Sequence, residues 1–257
     1  MGLLKILGIT LVISVVGGLA GWALSGESLV TAAALTRNPL FVKGAVWAFD
    51  PNEVDEDQIP PLVVGAHSGH RAIISILVDA GANPDLRGRD GRTPLVCAVI
   101  EDHPFVVRKL IAAGTDLNLL DHKGRSALIY AAKAGRDAVA RDLLKNGADA
   151  NLGDKAGNPA LYYSIVTGNH GITRILVAEG AEIDRVNKRG DTPLMAALRY
   201  WEEHEPIALS LQRAAIGYLL EKGQRLSAMG SRGHSLEEML EKREFKNLIP
   251  EEEATPG

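Results

Sequence analysis

Asp121-His-Lys-Gly-Arg-Ser-Ala-Leu-Ile-Tyr-Ala-Ala-Lys-Ala-Gly135, continuing to Leu143-Leu144-Lys-Asn-Gly147-Ala-Asp-Ala-Asn151, is one copy of a unit that recurs along the chain. Leu128 followed by Ala131 and Ala132 makes a narrow apolar face on one helix, which lets a neighbouring helix approach closely. Gly135 suits a tight helix–helix turn. Gly147, past the second helix, suits a left-handed C-cap. Working outward, the leucine recurs as Leu62, Leu95, Leu128, Leu161 and Leu194, each step being 33 residues. Leu77, Leu110, Leu143 and Leu176 step by 33, as do Gly81, Gly114, Gly147 and Gly180. Three independent series with one period do not arise from composition. Thr93-Pro94 and Thr192-Pro193 add a start signal. Thr caps the first turn, and Pro at that turn loses no hydrogen bond because its N–H would have no intrahelical partner. One such helix pair cannot bury its own apolar faces, so the units must stack.

These units resemble the ankyrin repeat family over roughly residues 27–249. The resemblance implies an all-α solenoid of helix–turn–helix units with β-hairpin-like tips. Here it stands behind an expected N-terminal hydrophobic helix. One departure concerns the family's Thr-Pro-Leu-His tetrapeptide. Val63, Val96, Ile129, Tyr162 and Met195 occupy the His place. The turn-to-helix hydrogen bonds of that His must therefore be absent or replaced. Stepping back by 33, Leu29 and Pro51 mark a degenerate first repeat. At the other end Gly180 to Gly223 and Gly190 to Gly233 are both 43, so ten residues are inserted in the fifth full unit. The insertion falls within Arg199-Tyr-Trp-Glu-Glu-His-Glu-Pro206 and the helix after it. The expected organisation is a signal segment (1–24), an N-capping repeat (25–54), five ankyrin repeats (55–227), a C-terminal capping unit (228–250) and a tail (251–257).

Ile6 to Leu24 is a run of 19 residues without charge, preceded by Lys5. At about 1.5 Å per residue it can just cross a bilayer core of about 30 Å. It reads as a signal anchor or a cleaved signal peptide. The small residues near Gly21-Trp22-Ala23 suit cleavage, whereas the length of the run and Trp22 favour the anchor. Lys5 inside places the rest of the chain outside the cytoplasm. The expected location is the cell envelope: anchored in the inner membrane facing the periplasm, or periplasmic if the signal is cleaved.

The 257 residues are 46% apolar, 23% charged and only 5% aromatic, with a net charge of −4. That balance argues against a nucleic-acid footprint, and the low aromatic content suits thin, Ala-rich helix packing. The single cysteine, Cys97, can form neither an intrachain disulfide nor a cysteine metal site. It reads as a small core residue. His70 and His103 fall at the helix–helix turn. Gly65-Ala-His-Ser-Gly69 is not a nucleophile elbow, because the Ser comes one place late and the segment runs from helix to turn. Glu202-Glu203-His204-Glu205 is read as a solvated charged turn. No catalytic, cofactor-binding, metal or small-molecule site is expected, and the chain is not read as an enzyme.

What remains is recognition of another protein. Carried over from the resemblance, the partner would meet the tips and the inner faces of the first helices. The tip candidates are Arg89, Arg92, His122, Lys123, Arg125, Lys155, Lys188 and Arg189, with Asp90, Asn158 and Asp191 beside them. The inner-helix candidates are His67, Ile100, Glu101, Lys133, Val166, Thr167, Arg199 and Tyr200. The tips of the middle units are basic, so they would steer an acidic partner. Tyr200 and Trp201, where the period breaks, are the expected aromatic anchors. An alternative reading is a dedicated inhibitor, such as an immunity protein that neutralises a secreted toxic enzyme in a bacterial envelope.

Overall fold

A computed structural model describes residues 29–55, 57–204, 208–230, 232–242 and 245–248. The apolar run 6–24 lies outside them. Among the described residues no helix is long and apolar enough to cross a membrane. The chain divides into two compact units, Met1–Ala127 and Leu128–Gly257.

The first unit holds α1 (Leu29–Leu35), α2 (Pro39–Ala48), α3 (Pro61–Ser68), α4 (Arg71–Asp79), α5 (Pro94–Ile100) and α6 (Pro104–Ala112). They form two layers. Helices α1, α3 and α5 pack side by side in one, and α2, α4 and α6 in the other. The start signals work locally: Pro61, Pro94 and Pro104 occupy first turns, and Thr93 Oγ1 accepts the Val96 N–H at 3.3 Å. The glycine past the second helix also does what its placement predicts. Gly81 is left-handed (φ 87°), and the Ala82 N–H reaches back to the Leu77 carbonyl at 2.9 Å, satisfying a carbonyl the helix leaves free. Leu62, Leu77, Leu95 and Leu110 are buried. The segment read as a degenerate first repeat is itself a helix pair, α1 and α2.

The second unit holds α7 (Ala127–Ala134, whose first residue closes the preceding unit), α8 (Asp137–Lys145), α9 (Ala160–Val166), α10 (His170–Ala178), α11 (Pro193–Glu203), α12 (Leu209–Glu221) and α13 (Leu236–Glu241). A 3-10 turn (Lys246–Leu248) follows. Helices α9, α11 and α13 pack in one layer, and α8, α10 and α12 in the other. The insertion lengthens both helices of its unit. Helix α11 has 11 residues against 7 in α9, and α12 has 13 against 9 in α10; the connection takes the remaining two. Helix α13 starts with a reciprocal capping box between Ser235 and Glu238, and Phe245 is buried behind it.

The tips are narrow hairpin-like turns, and no named strand occurs among the described residues. The N–H groups of Gly88 and Asp121 donate to the carbonyls of Arg92 and Arg125 in the first unit. In the second, those of Asp154, Asn187 and Gly230 donate to Asn158, Asp191 and His234. An Asx side chain holds three of these turns. Asp121 Oδ1 accepts the N–H groups of Lys123 and Arg125, Asp154 Oδ1 those of Ala156 and Asn158, and Asn187 Oδ1 those of Arg189 and Asp191. This is the Asx-turn chemistry of short polar side chains. Further Asx residues at the same 33-residue step tie one repeat to the next. Asn52 accepts from Asn83 N, Asp85 from Asp116 N, and Asn151 from Glu182 N.

Candidate functional site

In the first unit the basic tip is matched by the chain's own acids. Arg89 reaches Asp57 at 3.2 Å, and Arg92 Nε lies 3.0 Å from Asp90 Oδ2. His122 and Lys123 are exposed at the following tip, with Arg125 half-buried, and Ile100 is half-buried at the end of α5. Between the tip that carries Arg89 and Arg92 and α3 lies an open groove of about 480 Å³, lined by Leu35, Val63, Val64 and Cys97 among others. Burial first, and then the Asp90 carboxylate, pushes the Cys97 thiol up to about 12. It therefore stays protonated and unreactive.

Lys123 has no ion-pair partner among the described residues, and the second unit adds four more such cations. Lys133, Lys155, Lys188 and Arg189 are exposed, and none has an ion-pair partner among the described residues. Beside the last three lies a hollow of about 220 Å³, whose lining includes Asn158, Tyr162, Asn187, Arg189, Tyr200 and Glu203. Four elements build it, and the tip before α11 brings Asn187, Arg189 and Asp191. The tip before α9 brings Asn158, its Oδ1 accepting from Asn187 Nδ2 at 2.8 Å. Helix α9 brings Tyr162, and α11 brings Arg199, Tyr200 and Glu203. The acids around the hollow are already occupied. Asp154 accepts the Tyr163 hydroxyl at 2.7 Å, Asp191 pairs with Arg199 at 3.0 Å, and Glu203 lies 3.5 Å from Arg232. Burial pushes the Tyr162 hydroxyl up to about 12, with Tyr200 and Asp154 reinforcing this and Arg189 opposing it. The phenol is thus a hydrogen-bond donor throughout the physiological range.

Two expected contact residues are corrected. Trp201 is 3% exposed, packs into the second unit and donates its indole N–H to the Val166 carbonyl at 3.2 Å. It cannot anchor a partner without unfolding its own repeat. Arg199 is buried too, and its charge is spent on Asp191. The side chain between them differs. Tyr200 is half-buried, lines the hollow and stacks on His204 at 4.1 Å between ring centroids. Neighbouring helical positions point in different directions, so the aromatic pair splits into one surface residue and one core residue. The sequence reading missed Tyr162 and Asn187, both mostly buried, as groups lining the hollow. The available signal was Tyr162 itself, the only aromatic in the tetrapeptide place that holds apolar Val, Ile or Met in the other four units.

The sequence matches the family model described as "Ankyrin repeats (3 copies)" over residues 29–121, 62–154, 106–187 and 128–228. No curated protein sequence matches it. Among solved structures, it is similar to the ankyrin repeat domain of Bcl-3, described as a unique member of the IkappaB protein family. The TM-score is 0.77 at 20% identity, covering 88% of this chain and 99% of that one. At that identity the likeness shows the fold alone. With the family model spanning most of the sequence, and with the tips and paired helix layers recurring at its period, the chain belongs to the ankyrin repeat family.

Proposed function

We propose that this chain is a non-catalytic, protein-binding scaffold held at a membrane and exposed outside the cytoplasm, and that its partner is an acidic protein surface met by the second unit. Ankyrin repeats are protein-binding scaffolds; the location and the partner's charge are the proposal. The observation that carries it is the row Lys155, Lys188 and Arg189, exposed on neighbouring tips with no carboxylate against them among the described residues. Cations left unpaired beside a hollow raise the local concentration of an anionic partner and speed its encounter. The charge-free run 6–24 behind Lys5 supports the tether. Binding is tested by cross-linking the full chain in envelope extracts, identifying what is captured, and measuring its affinity against salt. Affinity should fall with salt and drop at least tenfold in Lys155→Gln/Lys188→Gln/Arg189→Gln. Insensitivity to both would end the acidic-partner reading. A single stoichiometric enzyme whose activity is blocked would favour the dedicated inhibitor over a general scaffold. For the tether, deletion of residues 6–24 should release the chain from sedimented membranes; retention would dismiss it.

A further inference from the structure

The hollow in the second unit has a chemistry more specific than its charged rim. Its acids are engaged, but its donors are not. Among the described residues, the hydroxyls of Tyr162 and Tyr200 and the guanidinium of Arg189 make no internal hydrogen bond. The Asn158 side-chain oxygen is used by Asn187, while its NH₂ makes no internal hydrogen bond among the described residues. Tyr162 is itself nine-tenths buried. The polar atoms of these donors are open to water or to a ligand oxygen. These donors line one hollow, and with Lys155 and Lys188 on its two tips they suit an acceptor-rich anion. The volume, about 220 Å³, suits a single side chain.

Resting on the reading of the second unit as a binder of acidic protein surface, we infer that this hollow is a specificity pocket for one Asp or Glu side chain of an extended acidic segment. Tyr162, Tyr200, Asn158 and Arg189 would donate to its carboxylate. Lys155 and Lys188 would hold the flanking acids. An acidic segment fits better than a chain terminus, because the cations lie on two successive tips and a terminus offers a single charge.

The test uses the full chain and three fluorescent peptides: end-blocked alternating Glu and Ser, its Gln-for-Glu isostere, and a neutral peptide with a free C-terminal carboxylate. The Glu peptide should bind and the other two should not. Tyr162→Phe/Tyr200→Phe, which keeps shape and charge, should weaken binding roughly a hundredfold, about tenfold or more for each hydrogen bond to a charged group that is lost. Lys43→Gln, an exposed lysine on α2 of the other unit, should change nothing. Full affinity in the Phe pair alongside loss in Lys155→Gln/Lys188→Gln would show that the tips act alone. That overturns the pocket and leaves the acidic-partner reading standing. Preference for the free terminus overturns the side-chain assignment. Binding of none of the peptides, with a captured partner insensitive to salt, overturns both.

Discussion

Replacing Arg199 with Met removes one half of a buried ion pair while keeping most of the side chain's volume. The Asp191 side chain is 1% exposed and that of Arg199 is 9%, with Nε and Oδ2 3.0 Å apart. The pair is closed over by the next tip. A Cβ on Gly230 would stand 2.8 Å from Asp191 Oδ1 and 3.2 Å from Arg199 Nη2. Water cannot readily replace the lost guanidinium there. Deleting one partner of such a pair costs about 3–5 kcal/mol, because the surviving charge stays buried. Asp191 keeps other contacts and its Met neighbour preserves the packing, which places the expected cost at the lower end, about 3 kcal/mol. Asp191→Asn in the same chain removes the stranded charge. The double variant should therefore lose less than the sum of the two single ones, by a coupling of roughly 1.5 kcal/mol. Urea unfolding of the full chain followed by circular dichroism measures all three. A single variant within about 0.5 kcal/mol of the parent, the range of ordinary surface changes, would refute the argument that this pair is buried and uncompensated. So would strict additivity in the double variant.

Trp201→Ala should destabilise by about 3–5 kcal/mol and Trp201→Phe by about 1, the second reporting the lost bond to the Val166 carbonyl; thermal melts distinguish them, and a Trp201→Ala variant of parental stability would restore it as a surface residue. Gly147→Ala should cost about 1–2 kcal/mol from its left-handed backbone alone, since nothing stands within 4 Å of the added carbon. Gly69→Ala should cost more, because its Cβ would also strike the His103 ring, and equal losses on urea denaturation would dismiss that contact. For Cys97 the sign follows from the thiol rising from 9.0 to about 12 in the folded chain. The unfolded chain gives up this proton first, so the stability it carries is complete below pH 9 and is lost as pH climbs toward 12. Urea midpoints taken from about pH 8 to about pH 10.5 should fall less steeply in Cys97→Ala than in the parent; identical slopes would count against the burial of the thiol.

Much of the fold is legible in the residues because its signals are local. A Thr-Pro start, an apolar face at helical spacing and a left-handed glycine each act within a few residues, and repetition every 33 makes them hard to miss. The Asx residues that hold the tips were visible as letters, but their role was not. Their value lies in where neighbouring N–H groups end up once the turn has closed. The pairing of Arg89 with Asp57 was hidden for the same reason, since it joins side chains 32 residues apart.

The sequence by itself determined the unit, its length, its repetition, the site of the insertion and the basic character of the tips. Tertiary structure decided what the insertion does. Ten added residues carry no periodic register, so nothing in the letters says which of Arg199, Tyr200 and Trp201 turns inward. Packing against α9 and the following tip sends Trp201 and Arg199 into the second unit and leaves Tyr200 beside Tyr162. A helix places neighbouring side chains in different directions, and only the surface it packs against determines which of them meets solvent.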